Sequence, residues 1–234
     1  MAPGIDYAPV MRIPFTVPMV LVAVALPSLA LAQSSSCSPY DSDAYAQAQV
    51  MMVKASSATQ PVHFQSEAKA CPTKGACPWK QRSYLIQADT VLAGPERDGF
   101  RCAYYVTAKG KPLAGFLPSA NLEPAQAPRT LDLAFLTGRW VSGDNDITFT
   151  AAANGQLHAE GLAIYTSETT ANTGDFSGDA KPGGEELRFG DSQDEDSCLV
   201  TVQRRGPYLL VSDNLRCGGL NVSFSGLYVR GKKK

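Results

Sequence analysis

The sequence predicts an all-β protein built as two small antiparallel units in tandem behind an export signal. Three observations predict it. From His63 onward the chain falls into short β-type runs separated by Gly, Pro and Asp turns. Asn154-Gly155 lies between two alternating runs, a strong hairpin signal. All six cysteines follow the export signal, as in a disulfide-stapled extracytoplasmic domain.

Arg12 is the only basic residue before an uncharged run from Ile13 to Ala32, and Ala30 and Ala32 flank Leu31 as an A-x-A site. This predicts a signal peptide over 1–32 with cleavage before Gln33. Pro18 and Pro27 interrupt the run and no basic stop-transfer cluster follows, so no stable membrane insertion is expected after cleavage. Ser34, Ser35 and Ser36 stand before Cys37 where a lipidation signal needs an apolar residue. A periplasmic or secreted location follows as the expectation.

The even number of cysteines in an oxidising compartment predicts disulfides. Cys198 and Cys217 are the only two in the second half, so they are expected to staple neighbouring strands. Cys77 and Cys102 are expected to be bonded as well, while the pairing among Cys37, Cys71, Cys77 and Cys102 stays open. The chain has no C-x-x-C, and its two histidines, His63 and His158, lie far apart, so neither a metal nor a cofactor is expected. Formal net charge is −1, without the basic footprint of a nucleic-acid partner.

In chain order, residues 33–59 form an N-terminal segment whose stretch from Asp43 to Ala55 reads equally as helix or strand. Strand-like runs then cover 62–64, 83–94, 100–108 and 113–118. Asp89-Thr90 marks a sharp change of direction, and Pro118 to Leu122 reads as one turn of tight helix. Three motifs stand out: Tyr84-Leu85-Ile86-Gln87-Ala88-Asp89-Thr90-Val91, then Phe100-Arg101-Cys102-Ala103-Tyr104-Tyr105, then Gly115-Phe116-Leu117-Pro118 through Leu122. In order and spacing, residues 62–124 resemble the bacterial SH3-like domain in its periplasmic form. Two positions depart from it: Ala88 replaces the usual glycine before the aspartate, and Phe116 the usual tryptophan. The resemblance implies an SH3-like barrel over 60–125 that recognises cell-wall peptide or an envelope protein.

A Pro- and Ala-rich stretch, 126–130, reads as a linker to a second domain over 131–231. Leu136-Thr137-Gly138-Arg139-Trp140 opens that half, and Asp146 to Thr150 and Gln156 to Ala163 form the Asn-Gly hairpin. Strands follow at Glu186 to Phe189, Cys198 to Gln203, Tyr208 to Asp213 and Asn221 to Arg230, an antiparallel meander of barrel or sandwich type. The L-x-G-x-W opening resembles the first strand of small calyx barrels, in which the tryptophan packs across the floor. The ending from Asp213 to Arg230 is similar to a group of bacterial envelope proteins of no known activity.

Candidate binding residues follow from exposure and charge. Tyr84, Tyr105 and Phe116 are expected to form an exposed aromatic platform for peptide or glycan, although Tyr104 and Tyr105 must point to opposite faces of their strand. Asp194, Glu195 and Asp196 belong to an acidic loop suited to a basic partner. The leading expectation is a binding or adaptor protein for peptidoglycan or an envelope protein. The alternative is an inhibitor or immunity protein against a lysozyme or other wall-degrading enzyme. A carrier using an apolar barrel interior is a third reading. No catalytic motif is present, so no enzyme is expected; His158, or a pair drawn from Glu160, Asp175 and Asp213, would serve the remaining alternative, a cell-wall hydrolase.

Overall fold

Turn residues and alternating apolar positions build two antiparallel sheets in a computed structural model that describes residues 37–54, 60–190, 193–194 and 196–232. The stretch expected to be a signal peptide, Glu195 and the last two lysines lie outside the described residues. The protein is all-β, as the sequence predicts.

The first sheet contains β1 (Gln49–Val53), β2 (Val62–Gln65), β3 (Lys80–Leu85), β4 (Thr90–Arg97), β5 (Phe100–Val106), β6 (Pro112–Pro118) and β7 (Leu122–Pro124). Their order is β3-β2-β6-β5-β4-β1-β7. The ambiguous N-terminal stretch is both of its candidates in turn: α1 (Ser42–Ala46), capped by the Asp41 carboxylate at Ala44 N, then β1. Because Met51 and Val53 alternate into the first core, β1 pairs with β4 and β7, and the sheet starts at Gln49 and not near residue 60. At the predicted sharp turn Ala88 adopts φ 70°, a left-handed conformation that glycine reaches more cheaply. The Asp89 carboxylate supports it by accepting from Ile86 N at 2.8 Å. Ser119–Asn121 is the expected single tight turn.

The second sheet follows a short α2 (Leu133–Leu136) and runs through β8 (Gly138–Ser142), β9 (Asn145–Ala151), β10 (Leu157–Thr166), β11 (Ala171–Ala180), β12 (Glu186–Phe189), β13 (Val200–Arg205), β14 (Tyr208–Asp213) and β15 (Gly226–Arg230). Asn154 and Gly155 both take positive φ in the first hairpin. Each strand neighbours the next in the chain except at one seam: β15 pairs with β8, and β11 lies alongside β12 without ladder pairing. The result is a nearly closed up-and-down barrel.

Its interior is filled. Trp140, Phe149, Phe176, Phe189 and Phe224 occupy it together with Leu and Val side chains from the opposite strands. Trp140 donates from Nε1 to Leu136 O at 2.8 Å, and the Arg230 guanidinium lies 4.8 Å from its ring centre. A filled interior takes away the apolar cavity that a carrier would need.

Residues 221–225, predicted as part of the last strand, belong instead to a loop over one end of the barrel. Val222 and Phe224 insert into the core, and the Asp213 carboxylate accepts from Ser223 Oγ, Phe224 N and Ser225 Oγ at 2.7, 3.1 and 2.6 Å. The loop crosses β11 so closely that a Cβ at Gly174 would overlap the Cys217 carbonyl oxygen.

Between the sheets lies a third apolar cluster: Tyr45, Leu92, Tyr104 and Val106 from one side meet Tyr208 and Leu227 from the other. The Tyr208 hydroxyl donates to the Thr90 carbonyl across this seam. The proposed linker is held at both ends of its course, with Ala125 N, just before it, bonded to Val50 O at 3.1 Å and Gly206 N bonded to Pro128 O within it at 3.3 Å.

Three disulfides close the structure: Cys37–Cys102, Cys71–Cys77 and Cys198–Cys217. Cys77 and Cys102 are both bonded, to different partners. The Cys198–Cys217 bridge spans 19 residues and holds the loop against β13. Replacing both cysteines by serine should cost about 3 kcal/mol, visible as a lower urea midpoint. An unchanged midpoint would mean that the Asp213 hydrogen bonds hold the loop unaided.

Candidate functional site

Strand β2 alternates Val62 and Phe64 into the first core and turns His63 and Gln65 outward. A register shift opposite β3 brings Gln65 level with Lys80, while Phe116 of β6 lies level with it on the other side. The β2–β3 loop, pinched by Cys71–Cys77, folds back over this end of the strand. Trp79 Nε1 donates to Lys69 O at 2.8 Å, and the Lys69 ammonium sits 4.8 Å from the indole centre. A cleft of about 220 Å³ is left, lined by Gln60, Val62, His63, Gln65, Lys80 and Asn121 with Cys71 at its edge.

Gln65 is the distinctive group of this cleft. It is only 7% exposed, its Nε2 points to Cys71 Sγ at 3.8 Å, and its Oε1 is buried without a hydrogen-bond partner among the described residues. A disulfide sulfur carries no hydrogen to donate, so the NH₂ must face Cys71 and the carbonyl oxygen must face away from it. His63 Nδ1 lies 3.0 Å from Gln81 O, an acceptor, so the proton of the neutral ring sits on Nδ1 and Nε2 is left as an acceptor. The Tyr84 ring lies 5.5 Å from that imidazole and is 57% exposed.

Two of the three aromatics expected on a platform share the outward face. Tyr84 pairs with His63, and Phe116, half-buried, pairs with Gln65 and Cys102. Tyr105 is a correction: alternation along β5 turns Tyr104 and Cys102 outward and packs Tyr105 against the first core. Burial raises its phenol pKa, with the Asp89 charge adding to the effect. Tyr104 is no platform either, since it is buried in the seam edge-to-face with Tyr45 at 4.8 Å.

The acidic loop is partly neutralised within itself. Asp196 pairs with Arg216 at 3.0 Å, and the Asp194 carboxylate accepts from Asp196 N at 3.0 Å. Of the carboxylates considered for hydrolysis, Asp213 is committed to the loop that it anchors. His158 sits at the surface between Asp179, 2.7 Å from Nδ1, and Glu160, 3.5 Å from Nε2, where it links β10 to β11.

Gln65, Lys80 and Asn121 escaped the sequence reading. The local pattern gives Gln65 no signal beyond being the polar end of Val62-His63-Phe64-Gln65; its burial depends on a cysteine six residues away. Compared with known proteins, the chain matches no family model, no curated protein and no solved structure.

The His158 pair gives a pH signature. The hydrogen bond that the ring donates to Asp179 holds the imidazole pKa above its ordinary value, assisted by Glu160. The associated stabilisation is complete below the unfolded pKa of about 6.5 and is lost as pH rises through the elevated folded value. Asp179→Asn should move the His158 titration down towards the ordinary value, as followed by NMR of the imidazole. A midpoint unchanged in that variant would place the cause elsewhere.

Proposed function

We propose that the chain is an exported, periplasmic or secreted binding protein whose first sheet takes a peptide into the cleft at Gln65, the peptide belonging to the cell wall or to an envelope protein. The Gln65 carbonyl oxygen carries this reading. A buried acceptor without a partner costs about 1–3 kcal/mol, and a ligand N–H placed there recovers that cost on binding. Tyr84 beside His63 supplies an apolar surface with a polar rim next to it, the composition that recurs at recognition sites. Three disulfides suit an oxidising extracytoplasmic compartment, and among the described residues no helix is long and apolar enough to cross a membrane. The SH3-like reading of 62–124 and the A-x-A site before Gln33 point the same way. The inhibitor reading draws less support, because Arg216 already meets the acidic loop.

Retention of the disulfide-bonded protein on purified wall sacculi, in parallel with capture from periplasmic extract, tests the proposal. Tyr84→Ala removes an exposed ring and should leave the fold unchanged while weakening retention about tenfold, the usual effect of losing an aromatic anchor. Wild-type retention by that variant in both assays would remove the proposed face from consideration.

A further inference from the structure

We propose that the cleft recognises the C-terminal end of its peptide, a free carboxylate together with the N–H of the last amide. The inference rests on the peptide-binding reading above and names the part of the peptide that is bound.

Gln65 and Lys80 are direct partners across β2 and β3, so their side chains rise side by side on one face. They offer opposite chemistry. Gln65 Oε1 is an acceptor without a partner, held in that orientation by the disulfide sulfur against its Nε2. The Lys80 ammonium is a triple donor with no ion-pair or hydrogen-bond partner among the described residues. The main chain of an internal stretch would supply an N–H for Gln65 but no anion for Lys80, and an internal acidic side chain would not tie the carboxylate to a neighbouring amide at a fixed spacing. A peptide terminus supplies both on one residue: the carboxylate for Lys80 and the neighbouring amide N–H for Gln65. A free amine would satisfy Gln65 but would be repelled by the lysine beside it.

The surroundings favour the anion as well. Between Val62 and Leu85 the hairpin carries Lys69, Lys74, Lys80 and Arg82 against Glu67 alone, so the approach to the cleft is positive although the chain as a whole is not. Arg82 and Tyr84 continue the exposed row of Lys80 along β3, which gives the residues before the terminus a cation and a ring to lie against. Two sources share this chemistry: proteins that end in an L-residue and wall peptides that end in D-alanine.

The test uses the mature, disulfide-intact protein and acetyl-Lys-Ala-Ala in four forms, with both alanines L or both D, and with a free acid or a carboxamide end. Binding is read by calorimetry at low and at high salt. The free acid of at least one series should bind about tenfold more tightly than its amide, and the preference should shrink with salt. Lys80→Met, at an exposed position, should abolish the preference for the acid, whereas Gln65→Leu should weaken acid and amide alike. The preferred series identifies the source.

Equal binding of acid and amide would overturn the C-terminal inference and leave peptide recognition standing. Binding of neither form, with retention on sacculi preserved, would do the same. Binding of neither form, with no retention on sacculi or from extract, would overturn both.

Discussion

Strand β4 is buried on both faces from Val91 to Gly94, and the arrangement of the whole protein follows from that constraint. Val91 and Ala93 look into the first core, while Leu92 between them looks outward and is just as inaccessible. An antiparallel sheet with one face on its core ordinarily wets the other, so an apolar outer row on β4 and β5 requires a cover. Tyr45 from α1 covers part of it, and Tyr208 and Leu227 from the second sheet cover the rest. The two sheets are therefore parts of a single compact unit, and the stretch read as a linker is one of its contacts.

The same cover decides which part of the first sheet stays free. Proceeding from β4 through β5 and β6 to β2 and β3, the outward face changes from buried Tyr104, through the Cys37–Cys102 bridge and half-buried Phe116, to exposed Tyr84 and Lys80. The cleft lies at the uncovered end of that gradient. Lys80 is thus exposed for the same reason that Tyr104 is not, while Gln65 beside it stays covered.

Much of the fold was legible in the sequence because alternation and turn chemistry act locally. The Asn154-Gly155 hairpin, the tight turn at Ser119–Asn121 and the bridge between Cys198 and Cys217 all follow from nearby residues. Strand β11 did not show itself, because its inward positions include Gly174 and Gly178 and only Phe176 among them is large. Packing partners dictate those glycines: the Cys217 carbonyl oxygen leaves no room for a side chain at Gly174. The last strand reads longer in the sequence than it is, because Val222 and Phe224 alternate like strand residues while belonging to the loop that plugs the barrel. Of the site, Tyr84 and Phe116 were legible as aromatics in β-type runs. Two adjacent tyrosines give no clue to which side of the strand needs filling, so Tyr105 reads as outward although it packs against the first core, and Gln65 takes its role only from the Cys71–Cys77 bridge that begins six residues on.

The strand that closes the second barrel, β15, comes after every other strand in the chain, yet it alone bridges β14 to β8 and carries Leu227 into the seam. Strands β8 to β11 form one run of hairpins and β12 to β14 another, and neither the barrel nor the cover over β4 and β5 is complete until residues 226–230 add β15. Long-range closure of this kind is slow compared with local hairpins. Closure of the barrel and coverage of the first sheet therefore depend on the same five residues, the last to be added to either.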